Sequence, residues 1–341
     1  MGRVSYNYFD QRRDYPDKPD IRRRSSFKVS QYDFSKYAIL NGKYGNHAMS
    51  YNAKGFYASI CKMAVKKEKN FFVISDDYKN AETSYKTAIS FAMGMVATRI
   101  IANKIYNVAR LYHFTESGRS STLQHGKMAP DWFGLDQHGR PFLFESKGTS
   151  QKRIDKKTIE HAKSQLKNVK VIKDSSSGKQ YYRRNISKHI ICSCFDKCSK
   201  IDGVWCIHDV DPVGSGNTEL QINLDEECFK YYQAFVLYVD SLNTLRRGVI
   251  IKNQNYYSWV YENERYCILE KIYDLVKSGQ FSKQNSYYRF NKFVDEELKG
   301  MEYSVPFSYD TSSYEDGIIV CSPETFPEVN DKQRNVPLFI K

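Results

Sequence analysis

Two short apolar runs flank a polar break near the middle of the chain. Trp132, Phe133 and Leu135 precede Asp136-Gln137-His138-Gly139, and Phe142-Leu143-Phe144 follow it. Runs of this length around an Asp/Gly turn predict a β-hairpin. Side chains alternate between faces along a strand. On the second strand Phe142, Phe144 and Ser146 therefore share one face, and Leu143, Glu145 and Lys147 share the other. Folding the hairpin back brings Asp131 opposite Glu145.

Helical periodicity brackets this hairpin. Residues 81–112 read as one long helix, with Ala81-Glu82-Thr83-Ser84 able to supply a cap. The stretch 87–98 carries no charge, and Arg99, Lys104 and Arg110 appear on later turns. An uncharged run of twelve is too short to span a bilayer, so a buried core helix is expected. Ala92, Gly94 and Ala97 would let it pack closely. After the hairpin, Ile159, Ala162, Leu166 and Val169 make an apolar stripe for a helix near 155–169, with Gln165 bordering its inward face. Residues 188–195 and 204–210 then read as two strands. The sum is an α/β fold, a mixed β-sheet flanked by helices.

The remaining segments are less patterned. Residues 53–65 suggest a helix, 71–75 a strand, 226–242 and 256–277 helices, and 304–322 strand-like alternation. Residues 1–30 hold eight Lys/Arg against four Asp, including Arg12-Arg13 and Arg22-Arg23-Arg24, with few aliphatics, and read as an arm or irregular lead-in. The expected division is 1–80 as basic arm and lead-in, 81–240 as the core, and 241–341 as a C-terminal accessory region.

Composition narrows the class. At 341 residues, with 41% hydrophobic and 27% charged positions, the chain is globular rather than disordered. A net charge of +13 favours an anionic partner such as nucleic acid. Residues 147–188 hold thirteen Lys/Arg against three Asp/Glu and so carry +10 of that charge. Lys152, Arg153, Lys156, Lys157, Lys163, Lys167, Arg183 and Arg184 are the candidate phosphate contacts. The N-terminus lacks an apolar signal core, so the eight Cys are expected as free thiols in a cytoplasmic protein with no membrane association. No GxxxxGK[ST] loop is present, so nothing points to nucleotide hydrolysis within the chain.

Asp131 and Glu145 side by side would repel unless a cation sat between them. Oxygen ligands suit magnesium, which takes one or two carboxylates and keeps waters for a substrate phosphate. Lys147 beside such a metal can orient or deprotonate a water. These are the parts for metal-assisted phosphodiester hydrolysis. Pro130-Asp131, a thirteen-residue spacer, then Glu145-Ser146-Lys147 resembles the active-site signature of the PD-(D/E)xK, restriction-endonuclease-like superfamily. The resemblance covers roughly residues 80–210 and selects no single family within it. It implies a restriction-endonuclease-like core, with Asp131, Glu145 and the Ser146 carbonyl holding Mg2+ (Mn2+ able to substitute) and Lys147 serving the water. Several branches carry a Gln on the helix after the lysine, and Gln165 matches that position. A preceding helix sometimes lends an acid, for which Glu82 and Glu116 are candidates.

Other constellations were weighed against this one. Cys192, Cys194, Cys198, Cys206 and His208 lie within seventeen residues, but their spacing is not that of paired zinc knuckles. They are expected as buried packing residues without zinc. His113, His125 and His138 have no paired nucleophile pattern around them. The sequence therefore points to a metal-dependent nuclease acting on DNA more than RNA, in restriction, phage defence or repair. The alternatives are a non-catalytic nucleic-acid-binding or scaffolding protein on the same fold, or a nuclease active only with a partner subunit. A homodimer is also left open.

Overall fold

The computed structural model describes residues 1–9, 15, 25–41, 51–114, 129–198, 200–212, 216–279, 287–299 and 310–326. In chain order these form β1 (Gly2–Phe9), β2 (Ser25–Val29), α1 (Gln31–Leu40), α2 (Tyr51–Met63), β3 (Val65–Glu68), β4 (Phe71–Ile74), α3 (Asp76–Asn80), α4 (Thr83–Tyr106), β5 (Leu111–His113), β6 (Trp132–Leu135), β7 (Pro141–Gly148) and α5 (Lys156–Lys167). Then come β8 (Val169–Asp174), β9 (Gln180–Tyr182), β10 (Ser187–Cys198), β11 (Ile201–Val210), β12 (Thr218–Ile222), α6 (Leu224–Asp240), β13 (Arg247–Ile251), β14 (Gln254–Tyr261), β15 (Glu264–Leu269), α7 (Glu270–Lys277), α8 (Phe290–Lys299) and β16 (Ile318–Cys321).

The central sheet is mixed, with β7 near its middle. β7 pairs antiparallel with β6 and parallel with β10, and β10 turns back antiparallel onto β11. β5 extends the sheet beyond β6. On the far side β1 runs parallel to β11, while β4 meets the start of β11 at Val204↔Val73. β12, β8 and β9 form a small second sheet, and β13 to β16 a third. The expected α/β architecture, a mixed sheet between helices, is what the chain adopts.

α4 covers one face of β7 and α5 the other. Thr98 of α4 reaches Ser146, on the Phe142/Phe144 side, and Gln165 of α5 reaches the main chain just before β6. α4 is buried nearly all round along its second half, from Ala92 to Asn103. By length and composition alone it could cross a membrane, yet 72% of its apolar window is buried inside the molecule.

Three stretches depart from the sequence pattern. Residues 2–9 are a strand of the central sheet, not part of an arm. Val4, Tyr6 and Tyr8 alternate with Ser5, Asn7 and Phe9, and all six are buried. Aromatic residues carry this alternation where aliphatics are few. The two arginine clusters of the expected arm lie outside the described residues. α4 stops at Tyr106 rather than running to 112, because Asn107 adopts a left-handed conformation at φ 55° and caps the helix. Leu111–His113 then form β5. The expected helix over 256–277 is instead β14, β15 and a short α7. Glu262, at φ 51°, turns the chain between two strands rich in Tyr, Trp, Val and Ile. Of the strand-like 304–322 segment, the described part supplies β16 after the turn at Gly317.

One hydrophobic core joins the first, middle and last parts of the chain, including Val4, Phe34, Val96, Phe144, Tyr231 and Ile319. Lys36 on α1 donates to the Asp316 carboxylate at 2.6 Å, and to the Ser313 and Ile318 carbonyls, with both side chains buried. A buried ammonium is tolerable only with such a full set of acceptors.

Candidate active site on the β6–β7 hairpin

The hairpin forms as its pattern predicts. Trp132 pairs with Phe144 and Phe133 with Leu143, so Asp131 sits at the register position opposite Glu145. The turn is closed by Asp136, whose carboxylate accepts from the main-chain nitrogens of His138 and Arg140 at 2.9 Å each. Gly139 takes the left-handed conformation there, at φ 71°.

At the other end of the hairpin the two acids are fixed by each other's backbone. The Asp131 main-chain N–H donates to Glu145 Oε2 at 3.1 Å, and the Ser146 N–H donates to Asp131 Oδ2 at 2.8 Å. Lys147 Nζ donates to Glu145 Oε1 at 2.6 Å. The sequence order Asp…Glu-Ser-Lys is thus converted into a lock in which each carboxylate braces the opposite strand.

The surroundings are dry. Glu145 is 1% exposed. Burial, then the neighbouring Asp131 charge, push its carboxyl up to about 7, against the pull of Lys147. Burial also raises the Asp131 carboxyl, opposed by Lys147 and the Ser146 N–H. Among the described residues, a buried and a half-buried acid are answered by one lysine, which makes a site short of positive charge.

The backbone beneath the lysine is held by α4. A Cβ added at Gly94 would lie 2.9 Å from the Lys147 carbonyl, and one at Gly148 would lie 1.8 Å from the Ser90 carbonyl oxygen. Helix and strand therefore touch backbone to backbone where Lys147 emerges, the close packing that Ala92, Gly94 and Ala97 suggested. The Ser146 side chain faces α4, not the acids: its hydroxyl meets Thr98 at 2.7 Å and accepts from Trp132 Nε1 at 2.8 Å. Only its main chain can serve the acidic side. Thr98 and Trp132 as clamps on this strand were not foreseen. The legible signal was a lone threonine inside an otherwise apolar helix face, one turn after Gly94.

Gln165 donates to the Ala129 carbonyl at 3.1 Å, two residues before Asp131, while its Oε1 is buried with no hydrogen-bond partner among the described residues. A leftover amide oxygen on the side chain that holds the main chain before Asp131, together with two carboxylates, is a donor set that fits a hard cation. Among the described residues no three His, Cys, Asp or Glu side chains come together as a metal-holding group. A cation here would rest on the two carboxylates and non-ionic oxygens.

The basic tract is mostly at the surface. Lys152 and Arg153 in the loop after β7, Lys156 and Lys157 in the first turn of α5, and Arg183 and Arg184 before β10 are exposed. Lys163 and Lys167 are half-buried, and Lys163 is paired with Glu160 at 2.7 Å. Lys188, in the same tract, points inward to the Val169 carbonyl at 2.9 Å, and burial pulls its ammonium down to about 8.

Other candidates take structural positions. Glu82 caps α4 through the Ser84 N–H at 2.9 Å and is exposed. His113 packs edge-on against Trp132, and His138 lies in the hairpin turn. Glu116 and His125 lie outside the described residues. Cys192 and Cys194 share a face of β10, with Cys194 Sγ 3.6 Å from the His208 ring and burial raising both thiols. Cys206 pairs across from Cys194, and Cys198 lies at the strand end. No family model matches the chain, and no curated protein or solved structure is similar to it.

Proposed function

We propose that the chain is a magnesium-dependent nuclease with a restriction-endonuclease-like core, hydrolysing phosphodiester bonds of DNA rather than RNA. The observation that carries this reading is the reciprocal lock of Asp131 and Glu145, dry, short of positive charge, and flanked by Lys147. Such a pair is costly to keep for structure alone, since burial without a cation pushes one acid towards protonation at neutral pH.

Asp131, Glu145 and the Ser146 carbonyl would hold the metal, with the Gln165 oxygen close by. Bound there, the metal supplies Lewis-acid stabilisation of the charge that builds on the phosphate, and it acidifies a water. The chain's own residues do the rest. Lys147 gives up its bond to Glu145 and orients the attacking water. Lys152, Arg153, Lys156 and Lys157 offer positive charge for the nucleic-acid backbone. A cytoplasmic setting in restriction, phage defence or repair agrees with this chemistry.

The test is cleavage of supercoiled plasmid, linear duplex, single-stranded DNA and RNA with magnesium, with manganese and with EDTA. Metal-dependent cutting that Asp131→Ala abolishes while leaving DNA binding intact is the expected result. Binding without cutting under every metal condition would replace this reading with that of a non-catalytic binding protein. Cutting restored only by an added protein would make the chain a subunit.

A further inference from the structure

We propose a second reactive centre, in which Ser187 is a nucleophile towards activated acyl and phosphoryl esters, driven by His189 and Asp209. It lies on the opposite face of the central sheet from the acids. β10 pairs His189 with Phe144 and Ile190 with Glu145, and neighbouring residues on a strand point to opposite faces.

Ser187 Oγ is 2.8 Å from His189 Nε2, and His189 Nδ1 is 3.0 Å from Asp209 Oδ1. Both distances lie within the reach required of a nucleophile, its base and the group that orients the base. The protons can be assigned from the partners. Asp209 Oδ2 accepts from the Tyr6 hydroxyl at 2.9 Å and from the Tyr106 hydroxyl. A carboxylate so supplied has no proton to give, so the hydrogen shared with His189 belongs to Nδ1. The neutral imidazole then has its lone pair on Nε2, and Ser187 must donate its O–H there. The serine is therefore hydrogen-bonded to a base able to take its proton.

The base cannot swing away. Its ring is 4.2 Å from Tyr106 and stacks on Phe144 at 5.6 Å and Phe142 at 6.1 Å. Asp209 is fully buried and His189 5% exposed, whereas Ser187 is half-buried at the open start of β10. Of the three, the nucleophile is the most exposed.

In the step proposed, Ser187 Oγ bonds to the acyl carbon or phosphorus and its proton passes to His189 Nε2. The bond to the leaving group breaks, and the leaving group departs with the electron pair, taking the proton from His189 when it needs one. Water then enters by the reverse sequence and frees the serine.

The test is exposure of the full chain, in EDTA, to an alkyl fluorophosphonate and to the smaller phenylmethanesulfonyl fluoride, followed by peptide mass spectrometry. The oxygen–phosphorus or oxygen–sulfur bond forms and fluoride leaves. A single adduct on Ser187 is expected, absent from Ser187→Ala and slowed by ~10²-fold in His189→Gln. Thermal unfolding of each variant checks its fold. Labelling of the wild-type chain before and after urea unfolding gives the same answer without a variant, because the adduct should need the folded state. Folded protein that takes neither reagent at Ser187, or takes them no faster than the unfolded chain, overturns the proposal. EDTA keeps the outcome separate from that of the metal site.

Discussion

Glu145 is the residue on which the metal site turns. Its carboxyl is raised from an ordinary value near 4.5 to about 7 by burial and Asp131. An acid whose folded value is raised adds stability below its unfolded value and loses it as pH climbs through the folded one. Wild-type stability should therefore fall between about pH 5 and pH 8, by a contribution on the order of 2–3 kcal/mol. Glu145→Gln has no such proton to lose, so its unfolding midpoint should stay flatter and exceed that of wild type at pH 8. Thermal unfolding across this pH range checks both. Magnesium should stabilise wild type at pH 8, where the acid is ionised, but not Glu145→Gln. A magnesium effect of equal size in the two proteins would remove Glu145 from the metal site.

Lys147 supports a different expectation. It donates to Glu145 in this structure, and it would have to leave that bond to serve a water. Arginine keeps the charge but cannot deprotonate and carries a rigid fork. Lys147→Arg should fold like wild type and lose at least ~10²-fold in cleavage rate. A rate near wild type would mean that position 147 contributes charge alone.

At the scale of elements, the contact between α4 and β7 matters most. Gly148→Ala would drive a methyl group onto the Ser90 carbonyl oxygen, which is backbone and cannot swing aside. Overpacking of this kind costs typically 1–3 kcal/mol, and here it would also lift Lys147 off its bearing. A lowered unfolding midpoint together with reduced cleavage is expected. A drop in midpoint with full activity would show that the lysine tolerates a displaced strand. In the loop after β7 and the first turn of α5, replacing Lys152, Arg153, Lys156 and Lys157 by Gln should weaken binding to all DNA sequences and flatten its salt dependence. Each lost phosphate contact should lower the log–log slope by roughly 0.9. An unchanged slope in a binding titration would move the nucleic acid to another surface.

The same elements explain what could be read in advance. The hairpin, α5 and the β10–β11 pair carry strong short-range patterns, and each appeared where its periodicity placed it. Asp131 opposite Glu145 followed from strand alternation alone. β1 was overlooked because aromatic and polar residues alternate there, and one of its partners, β11, lies some 200 residues away. β14 and β15 were misread because Tyr, Trp and Val runs suit either element, and a non-glycine turn at Glu262 gave no warning. The relay of Ser187, His189 and Asp209 had no linear signature, since its third member comes from the next strand and its stacking partners from two other elements, α4 and β7.

At the scale of the whole molecule, the first and last described segments belong to the body that carries the site. β1 lies beside β11, and the buried Lys36–Asp316 pair ties α1 to the segment before β16. A fragment of residues 81–240 would lose β1, α1 and β16, and would expose Trp205 and much of α6. It should fail to fold cooperatively, read as a missing unfolding transition in calorimetry. A fragment that melts sharply would show that the core is autonomous.

The pairing of β1 with β11 also orders events in time. Ser5 pairs with Cys206, so the ribosome makes 201 further residues before the partner position exists. At typical elongation rates this is on the order of 10–40 s. Throughout that interval the strand can pair with β2, and then with β4, but its edge towards β11 stays open. The nascent chain would present an aromatic-rich strand pair open along one edge during synthesis, a natural target for chaperones. Slowing translation would lengthen that exposure, with aggregation as its cost.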